Sequence, residues 1–160
     1  MKETPQDKSL EERLGASKFS GEGFLGTDHR PVDEIIADDL RTLDRLAVRP
    51  ADLLDALHAA FEQARAAFGG EVNIRPGLTA LAHESMGRIP SPFQGDGVFE
   101  KGDVVLRDSA TGEELVLTAL GLNMIEKHHF FQGRGSRYRI DPAHAVRLLH
   151  LGPPEPKLKS

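Results

Sequence analysis

Residues 103–120 read D-V-V-L-R-D-S-A-T-G-E-E-L-V-L-T-A-L, and this stretch decides the fold class. Two runs rich in valine and leucine, Asp103 to Arg107 and Glu114 to Leu120, flank Ser109-Ala110-Thr111-Gly112. A connection that short, with glycine near its end, turns the chain back on itself as a β-hairpin. Upstream, Val72 and Ile74 alternate with polar residues, Pro76-Gly77 has the signature of a type II turn, and Leu78 to His83 continues as a partner strand. Strands that arrive in hairpins are antiparallel, and no run of strand–helix–strand units builds a parallel sheet. A small antiparallel sheet of about four strands is therefore expected. Met86 to Gly97, with two prolines and three glycines, reads as loop.

Helical patterning surrounds the strands. Val32, Ile35, Ile36, Leu40, Leu43 and Leu46 recur at steps of three and four, which predicts a half-buried helix from about Pro31 to Ala47. Asp33 and Glu34 fall in its first turn, where the helix dipole favours anions. Pro50 opens a second helix whose stripe is Leu53, Leu54, Leu57, Phe61, Ala64 and Phe68, with Gly69-Gly70 as its stop. The short connection predicts that these two pack as an antiparallel hairpin. A third helix is expected over Leu122 to Gln132, stopped by Gly133, with Met124, Ile125, His128 and Phe131 or His129 facing inward. Tyr138 to Ile140 reads as a short strand. Asp141-Pro142 is a capping residue followed by a first-turn proline, and opens a last helix carrying Ala145, Val146, Leu148, Leu149 and Leu151 before Gly152. The expected architecture is α+β: an N-terminal antiparallel helix hairpin, a small antiparallel β-sheet and two C-terminal helices.

One domain over residues 19–151 fits this pattern. Residues 1–18 read as a disordered or loosely docked arm, with a short helical tendency around Ser9 to Leu14, and 152–160 as a solvated tail. Phe19 to Gly26, F-S-G-E-G-F-L-G, looks like an apolar clip laid over a core, its glycines permitting tight bends.

Composition narrows the function classes. A chain of 160 residues with 39% apolar and 28% charged residues is ordinary for a single globular domain. No apolar run reaches the ~20 residues that span a bilayer, and the polar N-terminus is not a secretory signal. Zero cysteines exclude disulfides, thiol catalysis and cysteine-ligated metals, and fit a cytoplasmic location. The net charge of −5 argues against bulk binding to nucleic acid or an anionic membrane. That charge is unevenly spread: residues 1–126 hold thirteen Lys/Arg against twenty-three Asp/Glu, whereas 127–160 hold seven against two.

The basic region contains E-K-H-H-F-F-Q-G-R-G-S-R-Y-R-I-D-P, residues 126–142. Its glycines and arginines could cradle a small anion: Arg134, Arg137 and Arg139 would supply charge, with His128 or His129 tuning it. Read blandly, the same residues are a helix end, a turn and a solvated strand. Glu126 and His129, three apart on the expected helix, form the start of a divalent metal site if Asp28 and His29 were brought to them. Consecutive helical residues point ~100° apart, so His128 and His129 do not easily share one ion. The acids Asp28, Asp33, Glu34, Asp38 and Asp39 read mainly as the outer face of the first helix. Nothing matches the phosphate loop, the dinucleotide fingerprint or the serine-hydrolase elbow.

Three motifs taken together, F-S-G-E-G-F-L-G-T-D-H-R, P-S-P-F and M-I-E-K-H-H-F-F-Q-G-R-G-S-R-Y-R-I-D-P, resemble a family of bacterial cytosolic proteins of unknown function over roughly residues 19–151. The resemblance implies a free-standing single-domain protein and no particular activity. The leading expectation is a non-catalytic domain that binds a small anionic ligand or an acidic partner surface through Gly133 to Arg139. One alternative is a metal-dependent enzyme built on Asp28, His29, Glu126 and His129. Another is a homo-oligomer whose Phe19, Phe24 and Phe93 clips cross to a second chain.

Overall fold

The computed structural model describes residues 23–153. Its elements are α1 (Val32–Arg45), α2 (Pro50–Ala66), β1 (Val72–Arg75), β2 (Leu78–His83), β3 (Arg88–Pro90), β4 (Val98–Glu100), β5 (Asp103–Asp108), β6 (Glu114–Thr118), α3 (Ala119–His128) and α4 (Pro142–Leu148). The readings placed on residues 1–22, Phe19 among them, and on the tail from 154 lie outside the described residues.

The fold class is the expected α+β. Four antiparallel strands stand in the order β1-β2-β5-β6. The deciding hairpin pairs Val105 with Val116 and Leu106 with Leu115. Alternation along it sends Val104, Leu106, Leu115 and Leu117 into the core, at 3% exposure or less. Pro50 begins α2, and Gly77 takes the positive φ (83°) that its turn requires.

Local findings differ from expectation in five places, the first at α2, which ends at Ala66 rather than at Gly69-Gly70 and leaves Phe68, expected in its apolar stripe, 93% exposed. Met86 to Gly97 is not all loop: it contains β3, which pairs with β4 just beyond it, Ile89 opposite Phe99, as a separate two-stranded sheet. Three residues per strand are too few to show a period. The third helix begins earlier, because the Thr118 side chain accepts a hydrogen bond from the Gly121 amide at 3.0 Å. It also ends earlier, because His129 takes a left-handed conformation (φ 54°) and the chain leaves the helix there rather than at Gly133. Tyr138 to Ile140 is not a strand: a turn runs through Arg137 and Tyr138, and the Arg139 amide donates back to the Ser136 carbonyl at 3.2 Å. Finally, Leu46–Arg49 does join α1 and α2 closely, but α1 takes α4 as its main helical neighbour while α2 lies across the sheet.

Two apolar clusters result. The larger unites α2, the sheet, α3 and α4 around Leu57, Phe61, Leu106 and Leu117. The smaller gathers Phe24, Val32, Ile35, Phe93, Leu120, Met124 and Phe130. The left-handed exit at His129 divides the next two residues between them: Phe130 enters the smaller cluster and Phe131 the larger, both fully buried. At about 1.5–3 kcal/mol for each buried large apolar side chain, this pair anchors the connector 129–141 firmly. No helix among the described residues is long and apolar enough to cross a membrane.

Candidate functional site

Pinned by its two phenylalanines, the connector lies against the glycine clip. The Gly133 amide donates to the Phe24 carbonyl at 2.8 Å, and the Thr27 amide donates to the Arg134 carbonyl at 2.9 Å. These backbones touch so closely that side chains do not fit. A Cβ on Gly133 would sit 2.3 Å from the Leu25 carbonyl oxygen, and one on Gly26 would sit 2.2 Å from the Ser136 nitrogen. Here the glycines serve an interlock between two distant segments.

Charge follows the backbone. Asp28 is buried and receives Arg30 through two bonds, Nε at 2.9 Å and Nη2 at 2.7 Å, and also accepts from the Arg134 amide at 3.2 Å. The Arg30 guanidinium holds the Asp28 carboxyl well below the usual carboxylate range, against the opposing effect of burial. Arg30 also donates to Asp38 at 3.0 Å and lowers its pKa in turn. Deeper still, Arg139 meets Asp39 in a two-pronged pair at 2.9 and 2.8 Å, the two side chains 11% and 4% exposed. Burial works against the Arg139 charge, but the hydrogen bonds and field of Asp39 more than offset it and raise its pKa. Arg139 Nη1 also donates to the Gln132 carbonyl at 2.6 Å.

The expected site residues therefore separate. Arg139 is a half-buried structural cation. Arg134 is exposed and lies 3.5 Å from Asp38. His128 Nε2 is 2.6 Å from Asp96 Oδ2, and its ring stacks on Phe93 with centroids 3.8 Å apart, so it fastens α3 to the loop before β4. His129 is exposed at the helix exit. Arg137 is exposed, spreads its guanidinium over Tyr138 at 5.3 Å, and has no carboxylate partner among the described residues.

The metal set does not assemble. Asp28 is already occupied by Arg30, while His29, Glu126 and His129 are all exposed. Once His129 leaves the helix, the shared face with Glu126 is lost. Among the described residues no group of three or more His, Asp or Glu side chains is placed to hold a metal ion. Phe24 and Phe93, proposed as crossing clips, are buried within this chain's smaller cluster.

Two cavities flank the start of β5. The smaller, about 320 Å³, is lined by Arg137, Tyr138, Ser136 and Gln132 from the connector, by Lys101 and Thr118, and by apolar Phe24, Ile89 and Leu120. The larger, about 660 Å³, is lined by His83, Ser85, Arg88 and Arg65 among others. Ser85, Glu100 and Asp103 line both and so form their common wall. The sequence reading had the connector side of the smaller cavity in its Gly133–Arg139 segment, but not His83, Arg88 or Asp103, because β2 and β5 are joined by nineteen intervening residues (84–102) rather than by a turn, and no pattern announces that they pair. Compared with family models, curated proteins and solved structures, the chain matches none, so the site is read from its own geometry.

Proposed function

We propose that this protein is a binding domain for a small anionic molecule, held in the 320 Å³ cavity by Arg137. The observation that carries the reading is the contrast among the three arginines of the connector. Arg139 is committed to Asp39 and Arg134 stands beside Asp38, whereas Arg137 lines a cavity with its charge unpaired by any described carboxylate. Guanidinium is suited to carboxylate or phosphate, which it grips through two parallel hydrogen bonds. Hydroxyl and amide groups of Ser136, Gln132 and Tyr138 stand beside it, over an apolar floor of Phe24, Ile89 and Leu120. A concave pocket of this size, in which directed polar groups stand beside an apolar floor, has the form of a small-molecule site. Glu100 and Asp103 in the wall disfavour a polyanion and favour a ligand of one or two charges.

The test is a thermal-shift and calorimetric screen with inorganic phosphate and small mono- and dicarboxylates. At a hundred times its Kd, a ligand of the native state stabilises it by about 2.7 kcal/mol. Arg137→Ala should abolish the shift and Arg134→Ala should keep it. A wild-type protein that responds to no member of the panel, or an Arg137→Ala variant that responds equally, would overturn the reading.

A further inference from the structure

The larger cleft opens where β2 ends and β5 begins, beside the C-terminal end of α2. His83 is the last residue of β2, Asp103 the first of β5, and the two are directly opposed in the ladder. Opposed residues project from the same face of a sheet, so their side chains meet. His83 Nδ1 lies 3.1 Å from Asp103 Oδ1. Gly102 permits this approach: a Cβ there would fall 2.9 Å from the His83 carbonyl oxygen and force β5 away.

The contact has a chemical consequence. With Nδ1–H donated to a carboxylate, the neutral ring carries its lone pair on Nε2. That nitrogen has no hydrogen-bond partner among the described residues. The imidazole is 54% exposed and shares the cleft with Ser85 and Arg88. Arg88 is exposed and has no carboxylate partner among the described residues, while neighbouring Arg65 is joined to Glu100 at 2.9 Å. An ordinary cross-strand ion pair would explain the His83–Asp103 contact alone. What the cleft adds is a ring nitrogen and a guanidinium, both without partners among the described residues, lining the same space.

We infer that this cleft is a hydrolytic site for small carboxylic esters bearing an anionic group, with His83 as general base, Asp103 positioning it and Arg88 anchoring the anion. His83 Nε2 takes a proton from water as the water oxygen adds to the ester carbonyl carbon, and the carbonyl π pair moves onto oxygen. When that pair returns, the bond to the alcohol oxygen breaks, and the departing alkoxide takes the proton from the imidazolium. One ester and one water become one carboxylic acid and one alcohol, with no change of oxidation state. A positioned general base contributes about 10²–10⁴-fold, which makes a reactive ester the substrate class to offer. Arg137 takes no part, so this inference stands independently of the anion-binding reading.

The experiment follows nitrophenolate release from mono-4-nitrophenyl succinate and from neutral 4-nitrophenyl butyrate by the full chain. His83→Gln should lower kcat/KM by at least about tenfold on both esters. Asp103→Asn should lower kcat and leave KM unchanged, the mark of lost orientation rather than lost binding. Arg88→Ala should raise KM for the succinate ester alone. His58→Gln, which alters a histidine of α2 outside the cleft, controls for catalysis by surface imidazoles. All these side chains are at least partly exposed, and thermal melts check that each variant is folded. The inference is overturned by wild-type release no faster than buffer, by His83→Gln within about twofold of wild type, or by an equal loss in His58→Gln.

Discussion

The clip-and-connector interlock and the cavity wall around β5 use the same residue types to opposite ends. In the interlock, arginines face carboxylates and glycines face backbone: Arg139 with Asp39, Arg30 with Asp28, Gly133 against Leu25. At the cavities, Arg137 and Arg88 line open space without a described carboxylate partner. An arginine-rich motif therefore does not mark a site as a unit. What matters is which guanidinium the fold has already paired, because a paired one has spent its hydrogen bonds before any ligand arrives.

The sharpest break in that comparison is Arg139→Ala against Arg137→Ala. Removing Arg139 leaves Asp39 as a buried, uncompensated charge and should cost about 3–5 kcal/mol in denaturant unfolding. Removing exposed Arg137 should change stability by less than about 0.5 kcal/mol. Equal losses would mean that the two arginines are not divided as the contacts indicate.

Gly133→Ala is the next largest. Its Cβ would meet the Leu25 carbonyl, and overpacking of this kind should cost about 1–3 kcal/mol by separating clip from connector. Amide exchange at Thr27, which donates to the Arg134 carbonyl, should quicken in step. A neutral result would show that the interlock opens freely.

Acid sensitivity should follow Asp28. Its folded pKa is depressed, so its contribution is complete above the unfolded value of about 3.9 and is lost as pH falls below it. Melting temperatures of wild type and Asp28→Asn, measured from pH 6 down to about pH 2, should converge as acid removes the wild-type advantage. Parallel curves would show that Asp28 gains nothing from its partners.

The smallest expected change is a gain. His129 holds φ 54° at the exit of α3, a conformation that suits glycine better. Relief of the left-handed backbone, about 1–2 kcal/mol, outweighs the extra unfolded-state freedom of glycine, about 0.5–1 kcal/mol, so His129→Gly should stabilise slightly and leave phosphate and carboxylate binding untouched. Lost binding would return His129 to the site.

Particular residues show what was legible in the chain and what was not. The 103–120 hairpin, the stripe of α1, that of α2 as far as Ala64, the proline starts at Pro50 and Pro142 and the Asp141 cap, accepting from the His144 amide at 3.1 Å, are all local signals. Each depends on neighbours a few residues away, so composition and spacing determined them, and with them the α+β class. The exit at His129 escaped because histidine seldom takes that conformation and Gly133 offered a more ordinary stop. The fate of the arginines escaped for a different reason. Asp39 and Arg139 are one hundred positions apart, and His83 and Asp103 twenty. Whether such groups neutralise one another or stand open to a ligand depends on burial and on strand pairing across unlike segments, and only the tertiary structure decides either.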